Sequence, residues 1–228
     1  MPRFLLDTPI LPNATFERDA RAAQHVRVLR LREGESITLF NGTGGEVPAT
    51  LSRIDKRTVE IATGEHVSVE RESAVRITLY AALIANDRMD WMIQKATELG
   101  VAAIAPLYSE RSQRIPGDVN KRAEHWRGVV IAACEQCGRN QLPTVQAPLA
   151  LSDAMAATSG ANNVLMDADG LAAPVGGAAV VNVFVGPEGG YSPNELTLLR
   201  AHCDTKLRIG QTVLRAETAA IAAVAALI

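Results

Sequence analysis

Aromatic side chains are scarce in this chain, at 4% of 228 residues, and only three residues are cysteine. A core must therefore be aliphatic, built from Ala, Val, Leu and Ile. Three cysteines, an odd number, cannot complete a disulfide framework and fit a reducing compartment. Cys134-x-x-Cys137 has the spacing of a redox or zinc pair, but no second pair exists and Cys203 stands alone. The pair also falls at a predicted helix C-terminus, where the dipole disfavours a thiolate, so packing is the simpler reading. The four histidines (25, 66, 125 and 202) lack metal-ligand spacing. No serine sits in a nucleophile elbow. Hydrolysis by triad or metal is not expected, and neither is a bound metal. No apolar run reaches the ~18–20 residues of a membrane span. Met1–Asp7 lacks the apolar stretch of a signal peptide. The expectation is a cytoplasmic protein with no membrane partner.

What is present is an ordinary globular balance, 47% hydrophobic and 21% charged, which can bury a real core. The length allows one large domain, or a small one and a medium one. The net charge of −2 counts against a nucleic-acid binder, because phosphates are neutralised by Lys and Arg. Clustering matters more than the sum, however. Up to Arg32, arginines at 3, 18, 21, 27, 30 and 32 outnumber the acids Asp7, Glu17 and Asp19. They form either a local basic surface or a set of solvated helix faces.

Two textures follow one another along the chain. Residues 1–70 read as a helix over Phe16–Leu29 followed by short strands. Ser36–Phe40 runs into the turn signal Asn41-Gly42, and Glu46–Ser52 and Thr58–Ala62 follow, which suggests a small β-barrel. Glu65–Ser73 is polar and weakly periodic and reads as a linker. From 74 to 228, strands alternate with helices. Strands are predicted over Val75–Ala82, Val101–Leu107, Asn163–Asp167, Val180–Val185 and Lys206–Ile209. Helices are predicted over Asp87–Leu99, Val119–Gln136 and Arg215–Ile228, with another opened by the capping box Ser192-Pro193-Asn194-Glu195. Such alternation makes a mainly parallel sheet covered by helices, an α/β domain.

In open α/β sheets, ligands bind outside the carboxyl ends of the strands. Gly186-Pro187-Glu188-Gly189-Gly190 leaves a strand there, and its glycines permit close approach of a ligand. A tight strand-to-helix turn would look the same. The loop lacks the Lys-Ser/Thr of a Walker A motif and is not Gly-x-Gly-x-x-Gly, so phosphate cradling is poorly supported. Ile209–Thr218 joins the last strand to the last helix and carries Arg215 and Glu217 in an aliphatic setting. Glu217 there either serves chemistry or offsets the helix dipole. Glu135–Asn140 bunches polar groups just past a helix end.

Together these segments resemble a known family, the bacterial 16S rRNA uracil-N3 methyltransferases, the RsmE type of the SPOUT (trefoil-knotted) superfamily. The resemblance is carried by Pro2-Arg3-Phe4, by His25–Arg30 followed by Gly34, and by Phe40-Asn41-Gly42. It continues through Lys95–Val101, Glu110-Arg111-Ser112 and Glu135–Arg139, and closes with Gly186–Gly190 and Leu214–Ala219. One departure is Ala216, where Thr is the usual residue. The chain ends soon after this last motif, so its final helix is short or its tail is missing.

The resemblance implies an N-terminal PUA-like β-barrel over 1–70 and a C-terminal knotted α/β methyltransferase domain over 74–228. It implies a homodimer acting on 16S rRNA of the small ribosomal subunit, with S-adenosyl-L-methionine as cofactor. By position, Val185, Gly186, Pro187, Glu188, Gly189, Gly190, Ile209, Gly210, Val213, Leu214 and Ala219 would line the cofactor. Arg215 and Glu217 would be catalytic. Arg3, Arg27, Arg30, Arg111 and Arg139 would contact RNA. Competing readings are a related enzyme methylating tRNA ribose 2′-OH and a non-catalytic ribosome-assembly factor. Residues 1–70 weigh against the first and the two intact loops against the second.

Overall fold

The structure, a computed structural model, describes residues 1–114, 118–171 and 179–228. The chain forms two compact units, Met1–Glu72 with Cys134–Leu142, and Ser73–Ala133 with Pro143–Ile228.

The first unit contains β1 (Arg3–Leu5), β2 (Thr15–Arg18), α1 (Ala20–Val28), β3 (Ser36–Phe40), β4 (Val47–Ile54) and β5 (Val59–Thr63). Its five strands lie in the order β1-β3-β4-β5-β2. Only β1 and β3 pair in parallel. Val59, Ile61 and Thr63 of β5 alternate inward, as a half-buried sheet requires. Val59 and Ile61, with Ile37, Leu39 and Leu51, meet Ala23 and Val26 of α1, so sheet and helix enclose one largely aliphatic core. The helix expected from Phe16 begins later. Phe16–Arg18 is strand, paired with β5 through Phe16 opposite Ile61. Asp19 starts the helix instead, its Oδ1 accepting from Ala22 N at 3.2 Å.

Glu65–Ser73, expected as a linker, is pinned along most of its length. Val67 and Glu46 exchange backbone hydrogen bonds of 2.8 and 2.9 Å. Glu70 accepts from Gly45 N, and Arg71 donates to Glu46 and to the Gly138 carbonyl. Glu72 grips Arg139 through two hydrogen bonds. Arg3 lies between Glu46 and Asn140 with its guanidinium 5.1 Å from the Phe40 ring centre. Glu135 accepts from Leu5 N at 3.1 Å, and burial pushes its carboxyl above the usual range.

The second unit contains β6 (Arg76–Ala82), α2 (Asn86–Glu98), β7 (Ala103–Tyr108), α3 (Val119–Cys137), β8 (Thr144–Val145), β9 (Leu149–Ala150) and α4 (Leu151–Ala157). β10 (Asn163–Leu171), β11 (Val180–Val185), α5 (Pro193–His202), β12 (Thr205–Leu207) and α6 (Ala216–Leu227) complete it, while the last turn of α3 belongs to the first unit. All strands are parallel, in the order β12-β10-β11-β6-β7-β8, with β9 also pairing β7. β11 is buried from Val181 to Val185, as expected of a strand covered on both faces. On one face Tyr80 stacks on Phe184, ring centres 4.8 Å apart. Leu151 and Ala154 of α4 and Leu199 of α5 pack over them. α6 packs on α2 and across β6, β11 and β10. The chain therefore passes from the edge strand β12 back to the middle of the sheet. The box at Ser192 closes both ways: its Oγ accepts from Glu195 N at 3.3 Å and Glu195 Oε2 accepts from Ser192 N at 2.9 Å.

In the first unit, hydrogen bonds from Arg71 lower the Glu46 carboxyl from 4.5 to about 2, helped by Arg3 and opposed by burial. Because the folded value lies below the unfolded one, this stabilisation is complete above about pH 4.5 and is lost as pH falls toward about 2. Denaturant unfolding of Glu46→Gln should therefore show a shallower loss of stability with acid across that window. An acid profile matching the wild type would remove Glu46 from this role.

Candidate functional site

Three parallel strands, β10, β11 and β12, end at one edge of the sheet. With the first turn of α2 and the start of α6, their exits line a cavity of about 540 Å³. That is in the range of small-molecule sites, roughly 300–1,000 Å³. Val185, Gly186, Pro187, Glu188 and Gly190 form one wall, and Ile209, Val213, Leu214, Arg215 and Ala219 another. Two loops separated in sequence thus share one cavity. Gly189, Gly210 and Glu217 are not on the wall.

The local geometry explains the glycines that matter most. Gly190 has a φ of +66° and its N–H closes a turn on the Pro187 carbonyl at 2.8 Å. At Gly186 a Cβ would stand 3.1 Å from the Tyr191 ring. The loop is braced from outside by Arg111, whose NH1 donates to the Gly189 carbonyl at 3.1 Å. Val213, at the tip of the second loop, is 93% exposed. An apolar side chain so placed leaves hydrophobic area for an occupant to cover.

Besides Arg208, which lines the cavity just after β12, charge enters from three places. Arg215 is the N-cap residue of α6, and its side chain is exposed on the cavity wall. Arg88, in the first turn of α2, also lines the cavity. Its NH1 donates to Glu188 Oε1 at 2.7 Å and its Nε lies 3.9 Å from Glu217 Oε1. Glu217 is 7% exposed, and its Oε2 has no hydrogen-bond partner. The third group is Asp167, Asp169 and Arg200. Arg200 bonds both oxygens of Asp167, at 2.6 and 2.9 Å, and Asp169 at 2.7 Å. Those bonds hold the Asp167 carboxyl below its usual range, against the opposing effect of burial.

This third wall was not legible in the sequence, where the predicted strand ends at Asp167. β10 instead runs on to Leu171, with a register shift against β12 between Met166 and Leu171. Such a bulge re-aims side chains, and here it sets Asp167, Ala168 and Asp169 on the cavity. Gly170 is required: a Cβ there would lie 2.6 Å from the Lys206 carbonyl oxygen. Arg88 was missed as well. Its one signal is positional, since the first turn of a helix following a parallel strand stands at the ligand edge.

The expected RNA-contact residues are not gathered together. Arg27 is exposed and donates to the Lys56 carbonyl at 2.7 Å. Arg30 is exposed, with a φ of +58°. Arg3 and Arg139 are instead held by internal partners, and Arg139 is 4% exposed. Arg111 is spent on the glycine loop. Glu135–Asn140, noted for its polar groups, clamps the first unit and lines no part of the cavity. All three cysteines are free thiols. Burial pushes Cys134 and Cys203 up to about 12, which suits packing rather than redox chemistry.

Fold and site define a parallel α/β domain with a cavity of small-molecule size between two backbone loops, in a chain that also carries a β-rich unit. The RNA methyltransferase domain model matches residues 71–228, and the RNA methyltransferase PUA domain model matches residues 19–63. The chain belongs to the RNA methyltransferase family. It is 33% identical over 208 residues to a ribosomal RNA small subunit methyltransferase E of Synechocystis, covering 87% of this chain and 67% of that protein. A protein of the same name from Buchnera aphidicola of Schizaphis graminum is 30% identical, covering 88% and 84%. Among solved structures, ribosomal RNA small subunit methyltransferase E of Neisseria gonorrhoeae bound to S-adenosyl methionine superposes with a TM-score of 0.90. Identity there is 34%, covering 99% of this chain and 96% of that one. A putative methyltransferase of Legionella pneumophila, with bound cofactor SAM, gives 0.88 at 37% identity, covering 97% and 94%. The expected fold class, an α/β methyltransferase domain behind an N-terminal PUA-like domain, is the one this chain has.

Gly170→Ala should force β10 and β12 apart and destabilise the chain by about 1–3 kcal/mol, as overpacking does. A thermal melt unchanged from the wild type would show that the bulge tolerates a side chain.

Proposed function

We propose that this protein is an S-adenosyl-L-methionine-dependent methyltransferase that methylates N3 of a specific uridine in 16S rRNA of the small ribosomal subunit. The observation that carries the reading is the shared cavity of the two glycine-bearing loops, with Arg215 unscreened on its wall. The named relatives and the S-adenosyl methionine in the similar structures support it. The residues present fit the cofactor. The cavity has the volume, its lining is largely backbone and aliphatic side chains, and Val213 offers apolar surface to an adenine face.

The cofactor supplies an activated methyl group on a sulfonium. The chain supplies the rest. Gly186–Glu188, Gly190, Ile209 and Thr212–Leu214 would hold the adenosyl part by backbone groups, with Val185, Leu214 and Ala219 packing against it. Holding donor and acceptor in line is most of what such a displacement needs. Uracil N3 is a poor nucleophile until its proton passes to solvent water, so the negative charge left on the flanking carbonyl oxygens has to be stabilised. Arg215 is the group for that. Glu217, with its burial and its ion pair to Arg88, acts as an orienting carboxylate more readily than as a base. Residues 1–70 form the RNA-holding PUA-like domain, with Arg27 and Arg30 exposed on its surface to meet phosphates. Residues 74–228 form the methyltransferase domain. The return of α6 across the sheet is consistent with a trefoil knot. The protein works as a homodimer in the cytoplasm, where its ribosomal substrate is; no helix among the described residues is long and apolar enough to cross a membrane.

Arg215→Ala should abolish methylation of small-subunit RNA while S-adenosylmethionine still binds with near wild-type heat in calorimetric titration. Loss of binding instead would make Arg215 structural. Mass mapping of 16S rRNA from a deletion strain, with and without complementation, checks the target. No change at a uracil N3 would reject the atom and base assigned here.

A further inference from the structure

A uracil N3 is flanked by two carbonyl groups, and loss of its proton spreads negative charge over both oxygens. One guanidinium serves one of them. The cavity wall carries a second cation well placed for the other. Arg88 comes from α2, a different element from the Arg215 loop, yet both line the same cavity.

Arg88 differs from Arg215 in being fixed. Glu188 of the glycine loop accepts from NH1 at 2.7 Å, and Glu217 of α6 stands 3.9 Å from Nε. Glu217 is nine-tenths buried, not on the wall, and one of its oxygens lacks a partner. A buried carboxylate with an unsatisfied oxygen is costly, and such groups in folded proteins call for an explanation. A carboxylate kept there despite the cost stands behind a cavity-lining guanidinium: Glu217 Oε1 lies 3.9 Å from Arg88 Nε and, together with Glu188, holds that guanidinium before substrate arrives. Cations held in place in this way stabilise developing charge best, because nothing must reorganise during reaction. Arg88, Arg215, Glu188 and Glu217 sum to zero formal charge, so the array does not repel an incoming anion.

We propose that Arg88 is a catalytic residue: it donates to one carbonyl oxygen of the target imide while Arg215 serves the other. Glu217 and Glu188 are its positioning residues. The inference rests on the uracil-N3 reading above and deepens it.

The test compares Arg88→Gln and Arg88→Lys with the wild-type chain on small-subunit RNA. Arg88→Gln should lower kcat about 10²-fold, as removal of one preorganised donor does, with the S-adenosylmethionine affinity changed less than about 3-fold. Its kcat should also keep rising with pH toward the ionisation of the imide itself, where the wild type has already levelled off. Added guanidinium should restore part of the lost rate, and Arg88→Lys should retain more activity than Arg88→Gln. A parallel fall in cofactor binding would assign Arg88 to the cofactor and overturn the proposal. So would wild-type kcat in Arg88→Gln, or a lost rate with an unaltered pH profile and no rescue. If Arg88→Gln melts early, the decision passes to the pH profile of Arg88→Lys. A wild-type chain that transfers no methyl group to uracil N3 would instead sink the parent reading.

Discussion

Parallel pairing of β10, β11 and β12 is the constraint on which the site depends. Each strand leaves the sheet at the same edge, so three loops far apart in sequence must emerge side by side. Where β11 hands over to α5, the turn is held by the Gly190–Pro187 hydrogen bond and from outside by Arg111. β10 and β12 then supply the other walls, Asp167–Asp169 from the register shift and Ile209 with Thr212–Arg215 from the last crossover. Loosening the sheet at this edge would spoil all three together.

Two kinds of charged group serve this molecule, and what they face separates them. In the first unit, Arg3, Arg71 and Arg139 meet Glu46 and Glu72 in ion pairs that brace the unit. Their guanidinium groups are occupied, which fits a frame better than a binding surface. In the second unit, Arg215 stands open while Arg88 is held between two carboxylates. Stabilising a transition state calls for donors of this second sort, positioned in advance and still facing the cavity. The contrast also explains why a list of arginines read from sequence mixes the two: charge is visible there, and pairing is not.

Some elements announce themselves locally. The Ser192–Glu195 box, the Gly100 and Gly138 helix ends and the strands at Ser36–Phe40 and Val180–Val185 are set by neighbours within a few residues. Others are decided at a distance. Phe16–Arg18 is strand because β5 is there to pair with it, and Asp167–Leu171 continues β10 because β12 accepts the bulge. Glu65–Glu72 is strapped down because Arg139, Gly45 and Glu46 reach it. None of these partners lies within a local window.

By itself the sequence determined the alternating α/β half and the two glycine-bearing loops, which rest on residue type, spacing and local backbone freedom; the chemistry class came through its resemblance to a known family. Tertiary structure alone decided that the two loops face one cavity, that Asp167 and Asp169 line it, and that Arg3 and Arg139 are braces. It also decided that Arg88 stands between Glu188 and Glu217. The reason is physical: a charged group takes its role from the dielectric and the partners around it, and folding brings those from residues as far as 137 positions away, as between Arg3 and Asn140.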